Sequence, residues 1–354
     1  MIPVRNIYYL LAYAFDALGS AGVASLDYES FDGAADLLAE LMLRGLERQV
    51  LRGVTRGYEP HGEEVASVRG RVDVARSVRE ASVLRRRLWC SFDEFTEDVP
   101  LNRVVKAAGT VLLSSGIDRR RRRQLRHAMG YLGGVRDVDP RRVRWDVRFD
   151  SGNASYRPLY SLSRLVIEGA IQGSAEGGLR FEALSDDQMC RLYERFLLRY
   201  FQREHAGEVH ASASYVGWAL DGGEGSLLPV MRTDVTLREA GRPASDARTL
   251  IIDAKYYGHT LQERFGKRSV HSGNLYQVFT YVKNEASAVR ALGGDPAGVS
   301  GMLLYAQTDE HEQPHESYVL DGNRIDVRTL DLSQPFEGVR AQLDGIVGDF
   351  FLRA

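Results

Sequence analysis

Two aspartates and a lysine in the second half of the chain have the residue types and spacing for metal-assisted chemistry on a phosphate. Asp234 lies in MRTDVTL, and Asp253 and Lys255 lie in TLIIDAKYY. Met231–Arg238 alternates and is rich in β-formers, and Thr249–Ile252 is a short apolar run. The segment between them, EAGRPASDAR, has turn composition, so the pattern predicts two strands joined by a turn. Side chains at i and i+2 of a strand share a face, so Asp253 and Lys255 project together. Side-by-side pairing of the strands brings Asp234 to them. Two carboxylates suit Mg²⁺, which takes few protein oxygens and keeps its waters, and the adjacent ammonium can orient a water.

A lone Asp-x-Lys is usually a pair of surface charges on a hairpin. Here Asp253 directly follows Leu-Ile-Ile, where an unpaired buried charge is costly. Lysine is also rare in this Arg-biased chain, at positions 106, 255, 267 and 283 only. A Lys kept in such a background points to a need for a compact ammonium and not a planar fork.

The 354 residues suffice for two domains. At 44% hydrophobic and 27% charged, the composition is that of a soluble globular protein. No apolar run reaches the length of a membrane span, and the N-terminal MIPVRNIYYLLAYAF reads as a helix and not a cleaved signal. Cys90 and Cys190 form neither a zinc set nor a disulfide framework, so a cytoplasmic setting is expected. Residues 1–150 carry 25 Lys/Arg against 21 Asp/Glu, whereas residues 151–354 carry 21 against 27. The half with the candidate site is therefore acidic, unlike a free-standing nucleic-acid binder.

In chain order, periodicity predicts helices over Asn6–Leu18, Gly33–Leu51, Leu101–Leu113 and Pro158–Ile171. Strands are predicted over Val65–Val74 and Leu88–Phe95, with Gly70 marking a bulge or the close approach of another backbone. Arg119–Arg123 and Arg126 read as the solvated face of a helix carrying Leu125, Met129 and Leu132, since five consecutive positions cannot face one groove. A phosphate-binding patch is the alternative for that run, and Arg85–Arg87 could likewise be a solvated face or a phosphate-binding patch. Loose composition at Gly173–Gly178 places a boundary between domains 1–178 and 179–354. A helix follows, opened by a Ser185/Gln188 capping box and carrying Glu194. Next come strands near Val209–Trp218, Met231–Arg238 and Thr249–Ile252, a helix over Asn274–Arg290 and a strand over Ser300–Ala306. Strands at Ser317–Leu320 and Arg324–Leu330 and a helix at Phe336–Phe351 close the chain.

The α-β-β-β-α-β order, with Glu194 on the first helix, Asp234 on the second strand and Asp253-x-Lys255 on the third, resembles the PD-(D/E)xK nucleases. Thr233 stands where that superfamily often has Pro. Gln277 and Tyr281, in QVFTY, match the Q-x-x-x-Y signature of its RecB-like branch and share one helix face. The whole chain resembles the McrC family, the nuclease subunit of McrBC 5-methylcytosine-dependent restriction systems. The resemblance rests on IPVRNIYYLLAYAF (2–15), VRGRVDVARS (68–77), FDEFTEDVPLNRVVKA (92–107), LYERFLLRYFQRE (192–204), LLPVMRTDVTL (227–237), LIIDAKYY (250–257) and HSGNLYQVFTYV (271–282).

The resemblance implies a mixed α/β chain. An N-terminal domain would dock on a McrB-like hexameric AAA+ GTPase and stimulate its hydrolysis. A Mg²⁺-dependent endonuclease domain would cut double-stranded DNA containing modified cytosine. Asp234 and Asp253 would hold Mg²⁺ with the Ala254 carbonyl, Glu194 would join through water, and Lys255 would act on the attacking water and the phosphate. Gln277 and Tyr281 would position the DNA strand or the metal shell. No nucleotide is expected on this chain, which lacks G-x-x-x-x-G-K-[ST]. The alternatives are a self-sufficient RecB-like repair exonuclease and a non-catalytic GTPase-stimulating assembly factor. His259, His271, His311 and His315 fit no zinc spacing. His271 and Ser272 are candidates to touch DNA, and Tyr256 and Tyr257 to stack on bases or pack beside the active strand.

Overall fold

The computed structural model describes residues 4–15, 31, 33–173, 183–256, 262–264, 267–310 and 312–352. Tyr257, His259, His311 and the linker positions 174–178 lie outside the described residues. The chain divides into two compact units, one of Met1–Glu29 with Leu184–Ala354 and the other of Ser30–Ala183. The first helix, α1 (Val4–Phe15), is therefore not grouped with the residues that follow it, as the 1–178 division has it. Aromatic packing accounts for the difference. Tyr9 stacks on Phe336 at 3.8 Å between centroids, and Tyr13 packs edge-on against Phe196. Asn6 donates to the Leu332 and Gln334 carbonyls, and Tyr13 donates to Glu204.

The second unit comprises α2 (Ala34–Arg52), β1 (Gly57–Val65), β2 (Arg71–Val72), α3 (Val74–Arg79), β3 (Leu88–Thr96), α4 (Pro100–Ser114), α5 (Arg119–Met129) and α6 (Arg157–Gly173). Its antiparallel sheet has the order β1-β3-β2. Strand β1, GYEPHGEEV, is absent from the hydropathy pattern because it is an exposed edge strand, where Pro60 is tolerated. The strand expected over Val65–Val74 is broken up. Asp73 caps α3 by accepting from the Arg76 amide, and little of the segment pairs. Gly70 has φ +66, and a Cβ there would collide with the Ser91 carbonyl and Phe92, which is the close backbone approach read from the sequence.

The arginine run on α5 divides by helix geometry. Arg119, Arg120, Arg123 and Arg126 are exposed, whereas Arg121 is buried and ion-pairs with the fully buried Asp36 at 2.9 Å. Asp36 also accepts from the Asp118 amide. Arg85 pairs with Glu64 at 2.7 Å, so at least one residue of Arg85–Arg87 serves the fold.

The first unit continues with α7 (Asp186–Glu204), β4 (Val209–Ser212), β5 (Tyr215–Val216), β6 (Met231–Arg232), β7 (Val235–Glu239), β8 (Thr249–Lys255), β9 (Gln262–Arg264), β10 (Lys267–Ser269), α8 (Ser272–Ala291), β11 (Val299–Ala306), β12 (Glu316–Leu320), β13 (Asn323–Leu330) and α9 (Phe336–Val347). A mixed six-stranded sheet runs β12-β13-β11-β8-β7-β4. β8 and β11 are parallel neighbours joined through α8, while β7 pairs antiparallel to β8. Leu250, Ile251 and Ile252 on β8 and Met302, Leu303 and Leu304 on β11 are buried, as expected where helices cover both faces of a sheet. The capping box at the start of α7 is formed. Two expected strands are split. Val209–Trp218 becomes β4 and β5, and Met231–Arg238 breaks at Thr233–Asp234, so that β6 pairs with β5 outside the main sheet. Among the described residues no helix is long and apolar enough to cross a membrane.

The buried pair gives a direct test. Arg121→Met removes the guanidinium that balances the buried Asp36 charge and is expected to destabilise the second unit by about 3–5 kcal/mol. Adding Asp36→Asn, which removes the charge, recovers most of the loss in a denaturant titration. An Arg121→Met protein as stable as wild type contradicts the assignment.

Candidate active site

The antiparallel ladder between β7 and β8 ends at Val235↔Ile252. One step further along the same register, Asp234 falls opposite Asp253. Like charges directly opposite each other are destabilising in a sheet, and the local structure answers this in two ways. Asp234 turns a carboxylate oxygen onto the backbone, where Oδ2 accepts from the Ala254 amide at 2.9 Å. Asp253, only 1% exposed, is ion-paired to Lys255 Nζ at 2.7 Å. The predicted i, i+2 pair on one strand face is thus in direct contact.

Thr233 explains how Asp234 is held. Its side chain is buried, its N–H donates to the Ser214 carbonyl at 2.9 Å, and its hydroxyl lies 2.8 Å from that of Thr236. A proline at this position could not donate that backbone bond. Thr233 therefore ties the bend bearing Asp234 to the 212–216 segment.

Lys255 is also fixed from the helix side. Its Nζ donates to Gln277 Oε1 at 3.3 Å, and Gln277 Nε2 donates to Tyr281 Oη at 2.9 Å. Gln277 and Tyr281, one turn apart on α8, thus extend the chain Asp253–Lys255–Gln277–Tyr281. Tyr281 is buried, so it acts on the cluster through Gln277.

Glu194 approaches from α7. Burial, then the negative charges of Asp234 and Asp253, push its carboxyl up to about 7, with Lys255 opposing. Burial likewise pushes Asp253 up to about 6; Lys255 opposes and Asp234 adds to the rise. Burial raises Asp234 too, restrained by the Ala254 amide and then Lys255. Four residues earlier on α7, Cys190 Sγ donates to the Tyr256 carbonyl at 3.0 Å and fastens the helix to the chain just beyond Lys255. The Tyr256 ring lies 6.3 Å from that of Tyr193, which favours packing over base stacking.

Three carboxylates against one ammonium leave an excess of negative charge in a partly desolvated place. Hard oxygen donors with that excess fit a hard divalent cation. Among the described residues no group of three or more His, Cys, Asp or Glu is placed to hold a metal ion. His271 sits at the N-terminus of α8, and His315 is exposed.

Over residues 7–292 the sequence matches the family described as "McrBC 5-methylcytosine restriction system component". The chain belongs to this family. A relative from Escherichia coli (strain K12), "Type IV methyl-directed restriction enzyme EcoKMcrBC", is 27% identical over 357 residues, covering 99% of this chain and 98% of that protein. Among solved structures, a half-complex of Thermococcus gammatolerans McrB AAA+ hexamers with bound McrC aligns over 97% of this chain and 76% of the other, at 18% identity and a TM-score of 0.49. A cryo-EM structure of the T. gammatolerans McrBC complex aligns over 57% and 59%, at 20% identity and a TM-score of 0.39. The McrBC-family match spans Glu194, Asp234, Asp253, Lys255, Gln277 and Tyr281 alike.

Hydropathy and spacing do not reveal Cys190 or Thr233 as supports. The one visible signal is position, since Cys190 precedes Glu194 by a helical turn and Thr233 adjoins Asp234.

The raised carboxyls predict a pH dependence in chelator. Folded Glu194 and Asp253 bind protons more tightly than they do in the unfolded chain, so their contribution to stability is present at low pH and lost as pH rises through about 6 and about 7. The thermal midpoint should fall between about pH 5 and about pH 8, and Glu194→Gln should flatten the fall. A slope unchanged by that substitution contradicts the assignment.

Proposed function

We propose that this chain is the McrC-type nuclease subunit of a modification-dependent restriction complex, a Mg²⁺-dependent endonuclease that cuts double-stranded DNA containing methylated cytosine. The observation that carries the reading is the meeting of Asp234 and Asp253 beside Lys255 at the end of the β7–β8 ladder, with Glu194 near enough to feel their charge. The order α7, β4, β7, β8, α8, β11, with these residues in their places, supports a PD-(D/E)xK core. Family membership supports the restriction role, and the name of the E. coli relative as a methyl-directed restriction enzyme agrees with it.

In this reading Asp234 and Asp253 hold Mg²⁺ with the Ala254 carbonyl, and Glu194 joins through water. The bound ion would supply Lewis-acid polarisation of the phosphate and a more acidic water. Lys255, steadied between Asp253 and Gln277, orients the attacking water and neutralises charge gathering on the phosphate. Gln277 keeps the ammonium in place, and Tyr281 holds the Gln277 amide with its carbonyl toward Lys255.

The chain carries no P-loop and its catalytic half is acidic. Both features suit a subunit brought to DNA by a McrB-like hexameric AAA+ GTPase, whose hydrolysis the second unit stimulates. Strong duplex binding needs several phosphates neutralised, which this half is poorly charged to do.

The test is cleavage of a methylated duplex by the chain assembled with its AAA+ partner, Mg²⁺ and nucleotide. Asp234→Ala and Asp253→Ala should lower the rate by more than about a hundredfold and leave partner hydrolysis stimulated. Lys255→Arg should fail as well, because the guanidinium is larger and does not give up a proton. A folded Asp253→Ala protein cutting at the wild-type rate would refute the site. Salt-tolerant cutting by the wild-type chain without partner or nucleotide would move the assignment to a self-sufficient exonuclease.

A further inference from the structure

The short β5–β6 ribbon leads straight into the candidate site and presents a cation that the rest of the site does not use. Its two residue pairs are Tyr215↔Arg232 and Val216↔Met231. One pair faces inward: Val216 and Met231 are buried in the cluster that includes Val278 and Tyr281 of α8. The other faces outward: Tyr215 is 71% exposed and Arg232 is exposed. The ribbon is thus anchored on the helix that carries Gln277, with its free face turned to solvent two residues before Asp234.

Arg232 contrasts with much of the basic complement of its unit. Arg238 pairs with Glu285, Arg248 with Glu239, Arg324 and Arg328 with Asp326, and Arg340 with Glu204. Among the described residues Arg232 pairs with no carboxylate. Its guanidinium lies over the Tyr215 ring at 5.9 Å from the centroid, within cation–π range, two residues from Asp234. Little slack remains in its backbone. Met231 is buried on one side, and on the other Thr233 is bonded to Ser214 in both directions, through its own N–H and through its hydroxyl. An exposed, preoriented and unpaired guanidinium in an acidic unit, beside a carboxylate cluster, is complementary to an anion that must approach that cluster.

We propose that Arg232 binds a backbone phosphate of the DNA strand next to the one being cut, and that Tyr215 is a positioning residue that holds the guanidinium over the approach to Asp234. The inference rests on the nuclease reading above and adds a contact to it. A planar guanidinium can take two phosphate oxygens at once, which fixes the strand's rotation as well as its position. The contact also offsets the repulsion between the strand and the three carboxylates.

The experiment is strand cleavage of a methylated duplex by the full chain assembled with its AAA+ partner, at DNA concentrations well below saturation and across a range of salt. Partner hydrolysis is measured in the same mixtures, and Asp253→Asn is run alongside. Arg232→Ala should slow cleavage about tenfold or more, as loss of a charged hydrogen-bond pair does, with partner hydrolysis unchanged. The dependence of log rate on log salt should become shallower by about 0.9, the signature of one lost phosphate contact. Arg232→Lys should restore part of the rate. Tyr215→Phe, which keeps the ring face, should behave as wild type, while Tyr215→Ala should lose part of the rate. Wild-type rate and salt slope in Arg232→Ala, with Asp253→Asn inactive, would overturn the clamp and leave the nuclease reading standing. Cleavage by Asp253→Asn would overturn the nuclease reading and the clamp with it.

Discussion

Repulsion between carboxylates gathered at the end of one β-ladder is the constraint on which the unit of residues 184–354 depends. The register that pairs Val235 with Ile252 carries Asp234 toward Asp253, and α7 adds Glu194. An apolar sheet interior makes the clustered charge more costly, because burial pushes each of these carboxyls up. The fold answers with one ammonium from the same strand, one backbone amide turned onto Asp234 and the neighbouring helix α8. Much of the nearby architecture serves this arrangement. Thr233 breaks the strand so that Asp234 leaves the ladder, and Cys190 ties α7 to the chain beyond Lys255. The parallel β8–α8–β11 crossover brings Gln277 over the ammonium.

The arrangement costs stability and supplies chemical readiness. A cluster of this kind is at odds with a maximally stable sheet, and perturbed carboxyls of this kind collect at functional sites. In the proposed reading a divalent cation would relieve the repulsion, and its binding and the stability of the unit would be linked through the same residues. The second unit shows the contrasting use of charge. There Asp36 and Arg121 pair in the core, half-buried Arg122 donates to the Ser115 and Ile117 carbonyls, and Arg119, Arg120, Arg123 and Arg126 stay in solvent.

The grouping of the candidate residues was more legible in the sequence than the framework around it. Asp253 and Lys255 follow from strand periodicity, and Gln277 and Tyr281 from helical spacing, because both periods are local properties of the backbone. The α7 capping box is equally local. What escaped reading depends on distant partners. Strand β1 has no apolar alternation because its side chains are mostly solvated, and it exists by pairing with β3. The break at Thr233–Asp234 comes from bonds to Ser214. The grouping of α1 with the last unit comes from ring stacking on Phe336, more than three hundred residues away. Arg121 has the same local context as its four arginine neighbours, and only the position of Asp36 distinguishes it.

The central claim is that Asp234 and Asp253 form the oxygen face of a divalent-cation site. The most direct measurement is a Mn²⁺ titration of the full chain followed by electron paramagnetic resonance, with Mg²⁺ as competitor and no DNA present. The account predicts saturable Mn²⁺ binding that Mg²⁺ displaces and that the Asp234→Ala/Asp253→Ala protein loses while remaining folded. Undiminished, Mg²⁺-sensitive Mn²⁺ binding by that double variant would contradict it.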